Sequence, residues 1–422
     1  MLEIAYLRNH AAEARERLTV KNFKEINLVD EALLVDETRR SVQKQLDDNL
    51  SRQNLIAKEI GELFKSGKKE DAEKKKAETA TLKEESKSLE TSLQKAEGDL
   101  HYILVRIPNL PHASVPKGKT PEENEVVKQV GTIPTLAGDA LPHWEIAKKY
   151  DLFDLELGVK ITGAGFPVYK GKGAKLQRSL VSFFLDEAIA AGYTEVIPPY
   201  MVNEASAFCT GQLPDKEGQM YYINEDKFYL IPTAEVPVTN IVRDEILEEK
   251  NLPLKFTAYS PCFRREAGSY GKDVRGLNRV HQFEKVEIVQ IAHPDKSYEI
   301  LEGMVKHVEG LLQKLELPYR ILRLCGGDMG FTSALTYDFE VFSAAQQRWL
   351  EVSSVSNFET FQSHRLKVRF RDENKKTRLV HTLNGSALAL PRIVASLLEN
   401  HQSGGRVNIP AALQAYTGFS TI

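Results

Sequence analysis

The chain has 422 residues, of which 42% are hydrophobic and 27% are charged, and its formal net charge is −3. This composition predicts a soluble protein of about two domains, and it excludes a globally basic surface for a polyanion, which only local basic patches would attract. No apolar run reaches about 18 residues, so no transmembrane helix is expected. The N-terminal segment lacks the apolar core of a secretion signal. Three widely spaced cysteines (Cys209, Cys262 and Cys325) predict a cytoplasmic protein without disulfides or a zinc site.

Residues 37–104 carry two apolar patterns that step by three and four, separated by the polar segment "KSGKKED". This spacing predicts an antiparallel coiled-coil hairpin within a helical arm over 1–106, with its tip near 65–71. The first helix, with about 29 residues from Glu37 to Lys65, would reach roughly 43 Å. The tip is rich in lysine, including Lys68 and Lys69. These lysines favour contact with nucleic-acid phosphates, but a solvated helix face explains them equally well.

Prolines then interrupt the chain, which predicts a linker over 107–130. From residue 131 to residue 422, short β-branched runs alternate with amphipathic patterns, so this part is expected to be an α+β domain with antiparallel strands flanked by helices. "KGAKLQRSLVSFFLDEAIAAG" and "KSYEILEGMVKHVEGLLQKLEL" predict helices, and "TEVIPPYMV" predicts a strand.

The sequence contains neither GxxxxGK[ST] nor GxGxxG at the start of a helix, so a nucleotide would have to be held by side chains. The stretch 256–291 instead predicts two strands joined by the glycine-rich "AGSYGKDVRGLN", which is expected to be a mobile loop.

Strand alternation in this hairpin predicts that Arg264 and Glu266 share one face. On the second strand it places Phe283, Lys285 and Glu287 together, with the intervening apolar residues facing a core. Ion pairs on an exposed sheet would explain the charges, but they do not explain a phenylalanine on a polar face. Stacking on a purine does explain it.

Several motifs resemble those of one family. "FRRE…GLNRVHQFEKVE" is similar to motif 2 of class II aminoacyl-tRNA synthetases (about 256–291), and "TLNGSALALPR" resembles motif 3 (about 380–400). The region around 165–202 resembles motif 1. "IPTAEVP" resembles the Thr-x-Glu loop of seryl-tRNA synthetases, and the helical arm is similar as well. The resemblance covers essentially the whole chain.

The resemblance implies a serine–tRNA ligase that couples L-serine to serine tRNA through a seryl-adenylate, with ATP and Mg²⁺ and with release of pyrophosphate. It also implies use of selenocysteine tRNA and a homodimer formed through motif 1. Two alternatives remain: a synthetase-like ligase that loads an amino acid onto a carrier protein, and a catalytically inactive RNA-binding paralogue.

The same resemblance assigns residues to roles. Those expected to be catalytic are Arg264, Glu351 and Arg392. Those expected to bind ATP are Arg264, Arg265, Glu266, Phe283, Glu351, Val352, Ser353, Ser354 and Arg392. Those expected to bind serine are Thr233, Ala234, Glu235, Arg264, Glu287, Thr382, Asn384 and Ser386. Glu351 and Ser354 are expected to hold Mg²⁺, and Arg275, Arg279, Lys68 and Lys69 to contact tRNA.

Motif 3 departs from the usual GLxxGR, because Ala387 and Pro391 stand where the pattern has glycines. Since proline fixes φ and lacks an N–H donor, Pro391 predicts a bent or irregular helix start just before Arg392. Arg392 is nevertheless expected to reach the adenine.

Overall fold

The computed structural model describes residues 1–136, 138, 140–215, 217–266 and 275–422. It divides into two compact units, one formed by Met1–Thr19 with Phe23–Pro108 and the other by Val20–Asn22 with Asn109–Ile422. Residues 267–274 of the glycine-rich segment lie outside the described residues, so the expectation of a mobile loop there remains a prediction. No helix in the described part of the chain combines the length and apolarity needed to cross a membrane.

The first unit is helical, as the heptad spacing predicts. Its helices are α1 (Ile4–Val20), α2 (Leu28–Lys65) and α3 (Lys69–Leu104). Helix α1 was not predicted from the sequence, and α2 begins earlier than expected. At about 1.5 Å per residue, the 38 residues of α2 span roughly 57 Å. The reversal at Ser66–Lys68 falls inside the predicted tip.

The seam between α2 and α3 contains buried apolar residues on both sides of a polar cluster. Leu46, Ile56, Leu82, Leu100 and Ile103 are buried. Gln53 donates a 2.7 Å hydrogen bond to Ser86, and Ser86 donates to the Asn49 side chain at 3.1 Å. Such a cluster pairs only in one alignment of the helices, so it fixes their register.

The second unit is built on mixed helices and strands. Its helices are α4 (His143–Tyr150), α5 (Leu155–Ile161), α6 (Gly171–Ala190), α7 (Glu204–Thr210), α8 (Glu235–Thr239), α9 (Ser297–Lys314), α10 (Thr360–Leu366), α11 (Leu390–Asn400) and α12 (Ala411–Thr417). The strands of its main sheet are β1 (Glu125–Val130), β4 (Thr194–Glu195), β9 (Leu254–Phe263), β10 (Gln282–Ala292), β11 (Tyr319–Arg323), β12 (Leu335–Ser343), β13 (Arg348–Asn357) and β16 (His381–Ala389).

Shorter strands form four small sheets. They are β2 (Phe153–Asp154), β3 (Val168–Tyr169), β5 (Met201–Val202), β6 (Tyr222–Ile223), β7 (Phe228–Leu230), β8 (Ile246–Glu248), β14 (Arg369–Arg371), β15 (Thr377–Leu379), β17 (Gln402–Ser403) and β18 (Arg406–Val407).

The main sheet has the order β1-β11-β12-β13-β16-β10-β9-β4, and every neighbouring pair is antiparallel except β4 with β9. One face is covered by helices whose apolar residues include Leu180, Phe184, Met304 and Leu397. Strand β10 contributes Val286 to this core, as its alternation predicts. The predicted α+β fold with an antiparallel-dominated sheet is confirmed.

Three local predictions need correction. The predicted linker over 107–130 is not wholly linker, because Glu125–Val130 pairs with β11 as an edge strand. The predicted strand "TEVIPPYMV" is reduced to β4 and β5, since Pro198 and Pro199 cannot donate to a ladder. The start of α11 is regular, because Pro391 occupies its first turn, where a backbone N–H has no helical partner.

Candidate active site

A cavity of about 650 Å³ opens on the second unit and gathers most of the predicted site residues. Both motif-bearing strand pairs contribute to it, since β10 pairs with β9 on one side and β16 on the other. The predicted residues that line it are Thr233, Glu235, Arg264, Glu266, Arg279, Phe283, Glu351, Val352, Ser353, Ser354, Asn384, Ser386 and Arg392.

Strand parity places Phe283 and Lys285 on the cavity wall, as predicted. It does not place Arg264 and Glu266, because β9 ends at Phe263. Glu266 has a positive φ of 49°, so the chain turns there instead of continuing extended. The alternation argument for this pair was therefore wrong, although both side chains line the cavity.

Arg264 is held at the strand end by its backbone and its side chain. Its N–H donates to the His281 carbonyl at 2.9 Å, and its Nε donates to the Pro232 carbonyl at 3.4 Å. The guanidinium carbon lies 5.2 Å from the centre of the Phe283 ring. A forked guanidinium suits a phosphate, and an aromatic ring suits a flat base. Arg265 is not among the lining residues, and its N–H donates to the Gln219 carbonyl at 2.9 Å.

Glu287 lies beneath the cavity wall, not on it, and is almost fully buried. One carboxylate oxygen accepts from Thr233 at 3.2 Å and pairs with Lys285 at 2.7 Å. The other oxygen accepts from the Asn384 amide at 3.1 Å. Glu287 therefore anchors Thr233 and Asn384, which themselves line the cavity.

Glu235 is a buried carboxylate, and the Gln362 side chain donates a hydrogen bond to it at 2.7 Å. Burial, assisted by the negative charge of Glu287, raises its pKa from 4.5 to about 7. The Thr233 hydroxyl accepts from the Glu235 N–H at 3.2 Å. A cation that binds beside this buried carboxyl group would stabilise its charged form.

Two predicted serine contacts lie behind the part of the cavity wall that Thr233 and Glu235 form. Thr382 is buried and donates to the Gln362 side chain at 2.7 Å, and Ala234 is fully buried. Neither residue is on the cavity wall. Sequence reasoning missed Gln362, although it lies in the stretch "EVSSVSNFETFQSHR", which begins with the predicted ATP-binding residues Glu351 to Ser354.

One region of the cavity lining, around Asp338 and Glu351, is acidic. Asp338 is buried and accepts a short hydrogen bond from the Ser354 hydroxyl. Burial and the neighbouring Glu351 raise the pKa of Asp338 well above its usual range. Asp338 also lines the cavity but was not predicted, because it lies on β12, outside the recognised motifs.

Arg392 lies in the first turn of α11, next to this acidic region. Its Nη1 donates to the Glu351 carbonyl at 2.6 Å and lies 3.9 Å from the Glu351 carboxylate, and its Nε donates to the Asn278 carbonyl at 3.1 Å. On the neighbouring strands Ser353 donates to the Ser386 carbonyl at 2.5 Å. Arg392 is therefore fixed by backbone carbonyls, with its charge available to a ligand.

The predicted tRNA contacts occupy other places. Arg279 pairs with Glu266 at 2.7 Å on the cavity rim. Arg275 lies 4.6 Å from the Trp144 ring, outside the cavity lining. Lys68 and Lys69 belong to the first unit, where Lys69 begins α3.

The chemistry of its donor atoms decides whether the acidic region fits a metal ion. Among the residues that the structure describes, no group of three or more His, Cys, Asp or Glu side chains is placed to hold a metal ion. Glu351, Ser354 and Asp338 do supply oxygen atoms, the donor type that Mg²⁺ prefers, and Mg²⁺ commonly completes its shell with substrate phosphates. The donor set therefore fits a nucleotide-borne magnesium ion.

Two family models match the chain: the seryl-tRNA synthetase N-terminal domain over residues 1–111, and the tRNA synthetase class II core domain (G, H, P, S and T) over residues 220–401. A serine–tRNA ligase of Salinibacter ruber is 53% identical over 100% of this chain and 99% of its own length.

Solved structures agree. A seryl-tRNA synthetase from Pyrococcus horikoshii complexed with ATP matches with a TM-score of 0.94 at 35% identity, over 100% of this chain and 99% of that one. A cytoplasmic serine–tRNA ligase of Naegleria fowleri in complex with AMP matches with a TM-score of 0.88 at 26% identity, over 100% and 98%.

Proposed function

We propose that this chain, which belongs to the seryl-tRNA synthetase family of class II aminoacyl-tRNA synthetases, joins L-serine to serine tRNA in two ATP-dependent steps. One observation carries the proposal. A single cavity is lined by Thr233 and Glu235, which suit an ammonium group, and by Arg264, Phe283 and Arg392, which suit a nucleotide. An amino acid and a nucleotide can therefore meet in it.

In the first step the serine carboxylate attacks the α-phosphorus of ATP, pyrophosphate leaves, and seryl-adenylate forms. In the second step a terminal hydroxyl of the tRNA attacks the seryl carbonyl, and AMP leaves. Arg264 would clamp the α-phosphate and the serine carboxylate, while Phe283 and Arg392 would enclose the adenine. These steps need aligned reactants and neutralised charge more than a protein nucleophile.

Serine would bind with its amino group against Thr233 and Glu235, with the buried Ala234 between them in the chain. Binding of the ammonium favours the charged form of Glu235 and so lowers its raised pKa. Ser386 and Asn384, supported by Glu287 and Thr382, would read the hydroxyl. A site built to bond a hydroxyl rejects alanine strongly, because its own polar groups would be left unpaired.

Glu351 and Ser354 would hold Mg²⁺ together with ATP, and Asp338 lies beside them. When bound, the ion would neutralise negative charge on the triphosphate. The chain's own contribution at this end is the placement of Arg392 by the Glu351 carbonyl.

The arm would bring the tRNA to the catalytic domain. We take residues 1–106 as the tRNA-binding arm, 107–130 as the connection with its edge strand, and 131–422 as the catalytic domain. Lys68 and Lys69 at the reversal would contact phosphates, which position a nucleic acid without reading its sequence. Arg275 and Arg279 would meet the acceptor end.

The assembly would be a cytoplasmic homodimer formed through motif 1. Large apolar side chains remain exposed in and near this region, including Ile197, which is 84% exposed, and Met201, which is 50% exposed. A second subunit would cover such residues. Selenocysteine tRNA, which also receives serine in the reaction implied by the resemblance, would be a second nucleic-acid substrate.

Serine-dependent exchange of pyrophosphate into ATP, followed by charging of serine tRNA, tests the proposal. Exchange and charging together are expected. Exchange without charging would favour a carrier-protein ligase, and no exchange would favour an inactive RNA-binding protein. A selenocysteine tRNA transcript in the same charging assay tests the second substrate.

A further inference from the structure

A buried polar cluster lies behind the nucleotide end of the cavity. His143, the first residue of α4, and Glu399, near the end of α11, are both fully buried. The His143 Nδ1 lies 2.6 Å from the Glu399 carboxylate, and the His143 backbone N–H donates to the same oxygen at 3.0 Å. The other Glu399 oxygen accepts a short bond from Ser343. Burial opposes ionisation, but these hydrogen bonds outweigh it and lower the pKa of Glu399.

The histidine ring also has a defined orientation. Its Nε2 accepts a 2.8 Å hydrogen bond from the backbone N–H of Leu277, so this nitrogen carries no proton. Nδ1 therefore carries the proton and donates it toward Glu399. Because Glu399 fixes the tautomer, the Nε2 of His143 is available as an acceptor for the backbone of segment 275–278.

A second route joins Glu399 to the same segment. Gln346 donates to Glu399 at 3.0 Å and accepts from the Asn278 side chain at 2.9 Å. The Asn278 carbonyl, in turn, accepts from Arg392 Nε at 3.1 Å. Two hydrogen-bonded routes thus lead from one carboxylate to Leu277 and Asn278, and the latter orients Arg392.

Gly276 shows how closely the segment approaches the imidazole. Its φ is +67°, and a Cβ placed there would lie 2.2 Å from His143 Nε2. Arg275, one residue earlier, stacks on Trp144, the neighbour of His143 on α4. Segment 275–278 is therefore seated on the start of α4.

We propose that His143, oriented by Glu399, is a positioning residue for the nucleotide: it seats Gly276–Asn278 so that the Asn278 carbonyl aims Arg392 into the cavity. His143 is buried and touches no ligand itself, and its effect passes through Leu277 and Asn278. The inference rests on the proposed function, because it assumes that Arg392 meets ATP. The predicted serine contacts are built on other hydrogen bonds, between Thr233, Glu287 and Asn384 and between Glu235 and Gln362.

Two substitutions separate the two hydrogen bonds of the ring. His143→Asn keeps a donor near the Nδ1 position for Glu399 but removes the acceptor for Leu277. His143→Gln offers an amide oxygen near the Nε2 position and so retains that acceptor. Calorimetric titration with MgATP and, separately, with serine measures both ends of the cavity without requiring catalysis.

His143→Asn is expected to weaken MgATP binding roughly 10-fold, with serine binding within about 2-fold of the wild type. His143→Gln is expected to restore MgATP binding to within about 3-fold. Unchanged MgATP binding in His143→Asn, equal weakening for both ligands, or no advantage of Gln over Asn would each overturn the proposal.

If His143→Asn does not fold, Gly276→Ala decides, because the added methyl would displace the same segment with His143 intact. Gly418→Ala is its matched control, since Gly418 has φ +73° and nothing within 4 Å of an added Cβ. Weaker MgATP binding in Gly276→Ala alone supports the proposal, and equal effects in the two variants refute it. A wild-type protein that binds MgATP but shows no serine-dependent exchange would count against the proposed function and leave this test intact.

Discussion

Replacing Glu235 by glutamine distinguishes two effects of this carboxylate: its cost to the stability of the folded protein and its role in binding serine. Glutamine keeps the shape and can still accept from Gln362, the 2.7 Å partner of the native carboxylate. It removes a charge that burial disfavours. Since one pKa unit corresponds to about 1.4 kcal/mol, raising the pKa from 4.5 to about 7 makes ionisation cost about 3 kcal/mol more in the folded protein.

The sign follows from proton uptake. Between pH 4.5 and 7 the folded protein holds a proton on Glu235 that the unfolded chain releases, so wild-type stability falls as pH rises through this window. The Glu235→Gln variant does not lose stability in this way, because an amide does not ionise. The difference in free energy of unfolding between variant and wild type should therefore grow in favour of the variant by about 3 kcal/mol from pH 4.5 to pH 8, as measured by urea unfolding at fixed protein concentration.

Serine binding should change in the opposite direction. A hydrogen bond to a charged group contributes about 1.5–3 kcal/mol, so the serine KM in pyrophosphate exchange should rise roughly 10- to 150-fold, with little change for ATP. Glu225→Gln, at an exposed carboxylate, controls for the change in net charge and should alter neither property appreciably. A pH-independent stability difference would refute the burial argument, and an unchanged serine KM would remove Glu235 from the amino-group site.

Three further outcomes are expected. Arg264→Ala should lower the exchange rate by about 10³-fold, and near-normal exchange would remove this guanidinium from the reacting phosphate. Deleting residues 30–104 should spare exchange and abolish tRNA charging, since the cavity lies in the other unit; charging by the deletion variant would show that the arm does not bind the tRNA. Ile197→Asp should shift the sedimentation of the protein from dimer to monomer, whereas Leu34→Asp, at an apolar side chain of α2 that is 66% exposed, should not.

The sequence alone was sufficient wherever the determinant is local and periodic. The heptad spacing identified α2 and α3. A coiled-coil seam is recorded in the sequence of each helix, because its apolar residues recur every three or four positions. Alternation placed Phe283 and Lys285 on one face of β10, because side chains in an extended strand point to opposite sides in turn. Most of the site residues that the motif resemblance supplied line the cavity.

Only the tertiary structure showed which buried polar groups form hydrogen bonds with one another. Glu287 supports Thr233 and Asn384 from beneath, and Asp338 joins Ser354 from another strand. Such pairs depend on register across a sheet, which a single strand's pattern does not contain.

The same limit explains the end of β9 and the cluster behind motif 2. Arg264 lies just beyond the end of β9, and the chain turns at Glu266. No alternation pattern in the sequence shows where the strand ends. His143 and Glu399 are 256 positions apart, yet they share a fully buried hydrogen bond. A buried polar group must find its partner wherever the fold brings one, so its role is written in the packing of distant elements and not in its neighbours along the chain.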